Sequence, residues 1–248
     1  MVLLKSIEEF PSPNHGPRVG GEPVDILLLH YTQMQSGEVA LNWLCDPRSK
    51  VSSHYLVFED GRVVRMVDEE RRAHHAGVSL WAGESDINSR SIGIEIVNPG
   101  HEGGYRPFPN AQIDAVIALC GDILARHPIP PERVLGHSDV APLRKQDPGE
   151  LFPWRRLHGE GIGHYVVPEP TIRGVSLAAG ARGTAVGLLK QRFRQYGYGL
   201  ADTDEFDDEM VAVVTAFQRH FRPEQIDGIA DLSTQMTLDH LLAALSQR

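Results

Sequence analysis

The chain has almost no cysteine: Cys45 and Cys120 are the only two among 248 residues. Two thiols do not make a disulfide framework, and neither has the Cys/His spacing of a zinc-ligand pair. Cys120 falls on the apolar side of a helical pattern and reads as a buried thiol. Also missing is any apolar run near the ~20 residues that a membrane-spanning helix needs. There is no run of Lys or Arg, and 24 basic against 33 acidic residues give a net charge of −9. That balance excludes the usual electrostatic footprint of a nucleic-acid binder. No internal period and no low-complexity tract is present. The first ten residues contain Lys5, Glu8 and Glu9, so they lack the apolar core of a secretory leader. No cysteine stands near the start to carry a lipid. These absences set a cytoplasmic location as the expectation, with the periplasm or cell envelope as the alternative if a leader was removed.

What is present is an ordinary globular composition, 41% hydrophobic and 23% charged. Residues 25–30 read as a buried strand. Ser53 to Phe58 and Val63 to Val67 flank Asp60-Gly61 and predict a hairpin. Ile92, Ile94 and Ile96 alternate with Glu95 and predict another strand. A helix capped by Asn110 should bury Ile113, Val116, Ile117, Cys120 and Ile123, and stop at His127-Pro128. Residues 133–136 add a short strand. From Gly159 to Gly183 the text is rich in Gly and Pro and predicts a linker. Three helical patterns follow, at about 184–196, 206–221 and 232–246. The expected division is a domain over 1–166, a linker over 167–176 and a small three-helix unit over 177–248.

Three polar residues stand where chemistry is easily housed. His30 ends the first strand, His137 follows the strand at 133–136, and Asp147 precedes Pro148 in a tight segment. Strand ends hold side chains rigidly while the loops beyond leave room for a substrate. Two imidazoles and a carboxylate suit Zn²⁺, and three protein ligands are the signature of a catalytic rather than a structural site. Against this stands the plain reading of surface histidines and a turn-initiating aspartate, which twelve histidines make easy to produce by chance. Glu95 is either on a solvated strand face or a general base in a cleft. Lys145, two residues before Asp147, is either a surface lysine or a stabiliser of an oxyanion. His74, His75, Trp81 and Asn98 are candidates for lining a groove, with loop polarity and core packing as the alternatives for His75 and Trp81.

Several blocks, taken together, resemble the zinc-dependent N-acetylmuramoyl-L-alanine amidases, the family related to phage T7 lysozyme and the peptidoglycan-recognition proteins. They are Leu29-His30-Tyr31-Thr32, Ser52-Ser53-His54-Tyr55, His75-Ala76-Gly77-Val78-Ser79, Ser91-Ile92-Gly93-Ile94-Glu95, Gly136-His137-Ser138-Asp139 and Lys145-Gln146-Asp147-Pro148-Gly149. They occur in family order across about residues 20–160. The resemblance implies an α/β fold, with a central mixed β-sheet flanked by helices and a small C-terminal three-helix domain. It implies one Zn²⁺ per chain on His30, His137 and Asp147, with Glu95 as general base and Lys145 as electrostatic helper. His75, Trp81 and Asn98 become substrate-binding candidates. The AmiD-like subgroup has the same layout, a catalytic domain followed by a peptidoglycan-binding-like tail. The expected partners are peptidoglycan fragments or anhydro-muropeptides, with no nucleic acid, no transmembrane segment and a monomeric chain. The expected activity is hydrolysis of the amide between N-acetylmuramic acid, or its 1,6-anhydro form, and L-alanine, for muropeptide recycling. Two other readings stay open: an endolysin acting on intact wall, and a wall-fragment receptor with a dead site.

Overall fold

Alternation along two six-residue strands decides how the sheet of this protein is covered, because successive side chains in a strand take opposite faces. A computed structural model describes residues 6–170 and 174–247. Its strands are β1 (Ile7–Glu9), β2 (His15–Pro17), β3 (Ile26–Tyr31), β4 (Tyr55–Val57), β5 (Val63–Arg65), β6 (Arg71–Ala73), β7 (Ser91–Ile96) and β8 (Val134–Gly136). Its helices are α1 (Gly37–Leu44), α2 (Ile87–Arg90), α3 (Gly100–Gly103), α4 (Asn110–Arg126), α5 (His137–Val140), α6 (Trp154–Gly159), α7 (Thr184–Tyr196), α8 (Asp208–Phe221) and α9 (Leu232–Leu245). Six strands make one sheet in the order β1-β5-β4-β7-β3-β8. The β4–β5 hairpin is antiparallel and the other pairings are parallel, so the sheet is mixed as expected. β2 and β6 form a separate antiparallel ribbon.

Leu27 and Leu29 of β3, with Ile92, Ile94 and Ile96 of β7, face α4 and meet Ile113, Val116, Cys120 and Ile123. The other side of β3, Ile26 and Leu28, joins Trp81, Ile87, Leu135 and Val140 in a second core. That core continues without a break into Val186, Leu189 and Phe193 of α7, Val213 and Phe217 of α8, and Leu238 and Leu241 of α9. α1 closes a third cluster over Leu56, Phe58 and Val64. The tail helices therefore bury one flank against the sheet side of the molecule instead of packing only on one another.

Local chemistry accounts for most element ends. Ser36, Asp207 and Asp231 cap α1, α8 and α9 by accepting from the backbone N–H groups of Val39, Met210 and Thr234. The hairpin turn has Gly61 at φ +86°, and a Cβ there would lie 2.8 Å from the Ala111 carbonyl oxygen. Asn110 does not cap α4 as expected. Pro109, whose ring fixes φ, supplies the non-helical flank, and Asn110 is the first helical residue. Its side-chain oxygen instead accepts from Arg156, at 3.2 Å.

The carboxylate of Glu69 ties the sheet to the end of α4. It accepts from Tyr55 (2.7 Å), Arg126 (2.8 Å) and His127 (2.7 Å). Burial alone raises its pKa, but these donors outweigh burial and bring it down to about 2 from 4.5. A carboxyl lowered by folding stabilises the native state above its unfolded pKa and loses that contribution as pH falls. Glu69→Gln is therefore expected to be less stable than wild type at neutral pH. The gap should close between pH 4.5 and about 2. Urea unfolding at stepped pH checks this, and a gap that stays constant would refute it.

Candidate metal centre

Strand register brings His30 and Glu95 side by side. In the parallel β3–β7 pair, Ile26 stands opposite Ser91, Leu28 opposite Gly93 and His30 opposite Glu95. Opposed residues share a face of the sheet. The isoleucines of β7 thus serve the α4 core, while Ser91, Gly93 and Glu95 serve the face that carries His30. On the other side of β3, Leu29 pairs with Gly136, and His137 opens α5 immediately afterwards. Asp147 returns in the loop beyond α5, where its carbonyl accepts from the Ser138 N–H at 2.9 Å.

The three side chains converge. His30 Nδ1 lies 2.9 Å from His137 Nδ1 and 3.1 Å from Asp147 Oδ2. His137 Nδ1 lies 3.0 Å from the same carboxylate oxygen. All three residues are at most 5% exposed. The outer ring nitrogens settle what these inner atoms are. His137 Nε2 faces the Ala76 carbonyl at 2.9 Å, so in neutral His137 it carries the hydrogen and Nδ1 bears a lone pair. His30 is fixed through a relay. The Ser91 hydroxyl donates to the Ile87 carbonyl (2.6 Å), so it accepts from His75 Nε2 at 3.2 Å. His75 Nδ1 is then the acceptor for His30 Nε2 at 3.0 Å. This leaves His30 Nδ1 as a lone pair as well. Burial, then the His137 ring, lowers the pKa of His30 to about 4 and keeps it neutral near pH 7.

Three acceptors about 3 Å apart therefore point at one another in a buried place. Such a cluster needs a cation. Two nitrogens and one oxygen suit Zn²⁺, and edges near 3 Å are what ligands about 2 Å from a shared ion make. Among the described residues, this is the group able to hold a metal; neither cysteine belongs to it.

Beside the cluster, Glu95 Oε2 is shut off from solvent and has no hydrogen-bond partner among the described residues. Burial, then the Asp147 carboxylate, pushes Glu95 well above the usual range, while Lys145 pulls it back. His30, His137, Asp147, Glu95 and Lys145 all line one cleft of about 200 Å³, together with Tyr31, Trp43, Val51 and His74. A larger hollow of about 600 Å³, bordered by Trp154, Tyr165 and Arg222, contains none of them.

Other sequence candidates sit elsewhere or have other work. Trp81 is 1% exposed and lies against Tyr196 and Tyr198 under the tail. The cleft tryptophan is Trp43, which is 46% exposed. Asn98 is buried, and its side chain is used up by the Arg106 carbonyl and the Gly100 N–H. His75 borders the cleft floor, but both its ring nitrogens are engaged by His30 and Ser91. Sequence reading missed the supporting residues. Asn88 Oδ1 accepts from the N–H groups of His75 and Ala76 (3.0 and 2.9 Å) and so fixes the loop that orients both imidazoles. His54 Nδ1 accepts from the Gly93 N–H at 2.9 Å. Asn88 stands in no pattern that betrays this role. His54 lies in a quoted block, which was a signal that could have found it.

Residues 20–150 match the family described as N-acetylmuramoyl-L-alanine amidase, and residues 182–238 match the peptidoglycan binding domain family. The chain is 39% identical to the N-acetylmuramoyl-L-alanine amidase AmiD of Escherichia coli K12, covering 90% of this chain and 84% of that one. It is 34% identical to the 1,6-anhydro-N-acetylmuramyl-L-alanine amidase AmpD of Enterobacter cloacae, over 62% of this chain and 90% of that relative. The fold matches that of E. coli AmiD in complex with anhydro-N-acetylmuramic acid-L-Ala-D-γ-Glu-L-Lys, with a TM-score of 0.78, 36% identity and 93% of each chain covered.

Gly93 makes room for the relay. A Cβ at this position would lie 2.6 Å from His75 Cγ. Gly93→Ala is expected to push His75 aside, release His30 and weaken zinc binding about 10–100-fold, the usual cost of losing an outer-shell partner. Chelator competition checks this; unchanged zinc affinity would contradict the relay.

Proposed function

The chain belongs to the N-acetylmuramoyl-L-alanine amidase family, and from that membership we propose a zinc-dependent hydrolase of soluble peptidoglycan fragments. It cleaves the amide between the lactyl group of N-acetylmuramic acid, or its 1,6-anhydro form, and L-alanine. The observation that carries the metal-dependent reading is the trio of converging acceptors next to an unpartnered carboxylate, in one cleft.

His30, His137 and Asp147 hold one zinc ion per chain. Bound there, zinc supplies Lewis-acid polarisation of the amide carbonyl and lowers the pKa of the attacking water. Glu95 accepts a proton from that water and later gives it to the departing L-alanine nitrogen. A cation at the trio would act on Glu95 in the same direction as Lys145, lowering its pKa and favouring the carboxylate that a base needs. The Lys145 ammonium stabilises the negative charge that develops on the former carbonyl oxygen. The products are a free stem peptide and a muramic acid with its lactyl carboxylate restored. No covalent bond to the protein is made.

The division 1–166, 167–176 and 177–248 is kept as part of the proposal, and the two family matches fall on either side of its linker. A working monomer is part of the same proposal. Among the described residues no helix is long and apolar enough to cross a membrane. The proposed workplace is the cytoplasm, in muropeptide recycling. The second reading, action on intact wall, is favoured by the peptidoglycan-binding match of the tail. Digesting intact sacculi beside purified anhydro-muropeptides separates the two. Comparable rates on sacculi would move the enzyme to the wall.

Removing the metal with a chelator is expected to abolish cleavage, and adding one equivalent of zinc to restore it. Glu95→Gln should lose about 10²–10⁴-fold in kcat with zinc retained. Lys145→Ala should lose about 10²–10³-fold. Near-normal turnover by either variant at matched zinc content would remove that residue from the scheme.

The cleft also offers an optical probe. Of the three tryptophans, Trp81 and Trp154 are 1% and 6% exposed, whereas Trp43 is 46% exposed on the cleft wall. Titrating inactive Glu95→Gln with an anhydro-muropeptide should shift the tryptophan emission, and Trp43→Phe in the same background should silence the shift. A shift of equal size without Trp43 would place the ligand elsewhere.

A further inference from the structure

Asp139 is a carboxylate that the hydrolytic scheme does not use. It sits in α5, two residues after His137, and is 1% exposed. Three donors end on it. The Gly136 N–H, directly before His137, reaches Oδ2 at 2.8 Å. The Tyr198 hydroxyl reaches Oδ1 at 2.7 Å, and His220 Nδ1 reaches Oδ2 at 2.8 Å. Two of the three donors therefore come from the C-terminal helical segment. Both are themselves fixed. The His220 ring stacks on Trp154 with centroids 3.8 Å apart, and Tyr198 packs edge-on against Trp81 at 4.8 Å.

The geometry makes Asp139 a bridge. One carboxylate oxygen accepts from the metal-ligand loop and from the tail at once. A buried carboxylate stripped of a donor pays heavily for its lost partner and turns to find another. Turning it would release the Gly136 N–H and free the start of α5, where His137 must aim its Nδ1 at His30 and Asp147. We infer that Tyr198 and His220 are positioning residues of the metal centre, acting on His137 through Asp139. The tail is then a built-in part of the zinc site as well as the segment that matches a wall-binding family. This rests on the proposed zinc reading of the trio.

The test uses the full chain and reads zinc affinity by chelator competition, alongside the melting temperature of the metal-free protein. Tyr198→Phe removes one oxygen and keeps the ring. It is expected to weaken zinc binding about 10-fold or more, within the range for outer-shell partners. His220→Leu should do the same, and His220→Asn, which keeps a donor near the Nδ1 position, should recover most of the loss. With cobalt in place of zinc, Tyr198→Phe should also alter the visible ligand-field spectrum. Leu241→Ala is the control, because Leu241 is fully buried in the same core but on α9, which carries none of the donors to Asp139. It should lower the melting temperature and leave zinc affinity unchanged. Wild-type affinity in Tyr198→Phe and His220→Leu would overturn the inference. So would an equal loss in Leu241→Ala, which would reduce the effect to general stability. Should His220→Leu fail to fold, Tyr198→Phe still decides. A wild-type protein that takes up no zinc would sink the metal reading, and this inference with it.

Discussion

Three acceptor atoms forced together in a dry place repel one another, and much of the surrounding structure answers to that constraint. A buried lone pair without a donor is costly, and this site gathers three within about 3 Å. A cation removes the cost, but only if the imidazoles keep their lone pairs turned inward. The outward nitrogens must therefore be occupied. For His137 this is done by the Ala76 carbonyl, and for His30 by a relay through His75 and Ser91 to the Ile87 carbonyl. The loop at 75–76 serves both rings, and Asn88 holds that loop through two backbone N–H groups. Orientation of the two imidazoles is thus a property of a hydrogen-bonded chain, each member of which has a defined direction.

The sheet supplies the rest of the precision. Parallel pairing with His30 opposite Glu95 fixes both side chains on one face without any loop. The same alternation that points Glu95 into the cleft points its flanking isoleucines into the α4 core. A one-residue slip in register would exchange these two sets. Core burial and the geometry of the cleft are therefore enforced by one pattern. Gly93 belongs to it too, since the stripe Ser91-Gly93-Glu95 has to leave its middle position empty for the His75 ring.

This explains what could be read from the residues alone. The strands at 26–31 and 91–96, the Asp60-Gly61 hairpin and the three tail helices were legible because each follows from a local period or turn. His30, His137, Asp147 and Glu95 were legible as candidates because strand ends and alternation are local too. Their convergence was not; it entered only through the order of the blocks and needed the fold to be seen. Trp81 and Asn98 misled for the same reason. A tryptophan in a polar loop looks like a groove residue until the tail, far away in sequence, covers it. Asn98 looks free until its loop folds back onto it. The acceptors behind the candidate ligands, Ala76, Asn88 and Asp139, take their donors from other segments of the chain, which no local pattern reveals.

The shared core beneath the tail changes what a domain boundary means here. Composition shifts sharply near residue 167, and two family matches lie on either side. Yet the apolar surface does not divide there: Ile26, Leu28 and Leu135 of the sheet share one cluster with Val186, Phe193 and Phe217 of the tail. A linker permits independent motion only when the interface it spans is small and polar. In this protein the interface is apolar, and at its edge stands a buried carboxylate satisfied from both sides. Separating the two parts would expose the core and strand Asp139 in the same step. The helices that resemble a binding module are therefore held where they are by the same contacts that brace α5, and whatever they bind, they bind in a fixed relation to the cleft.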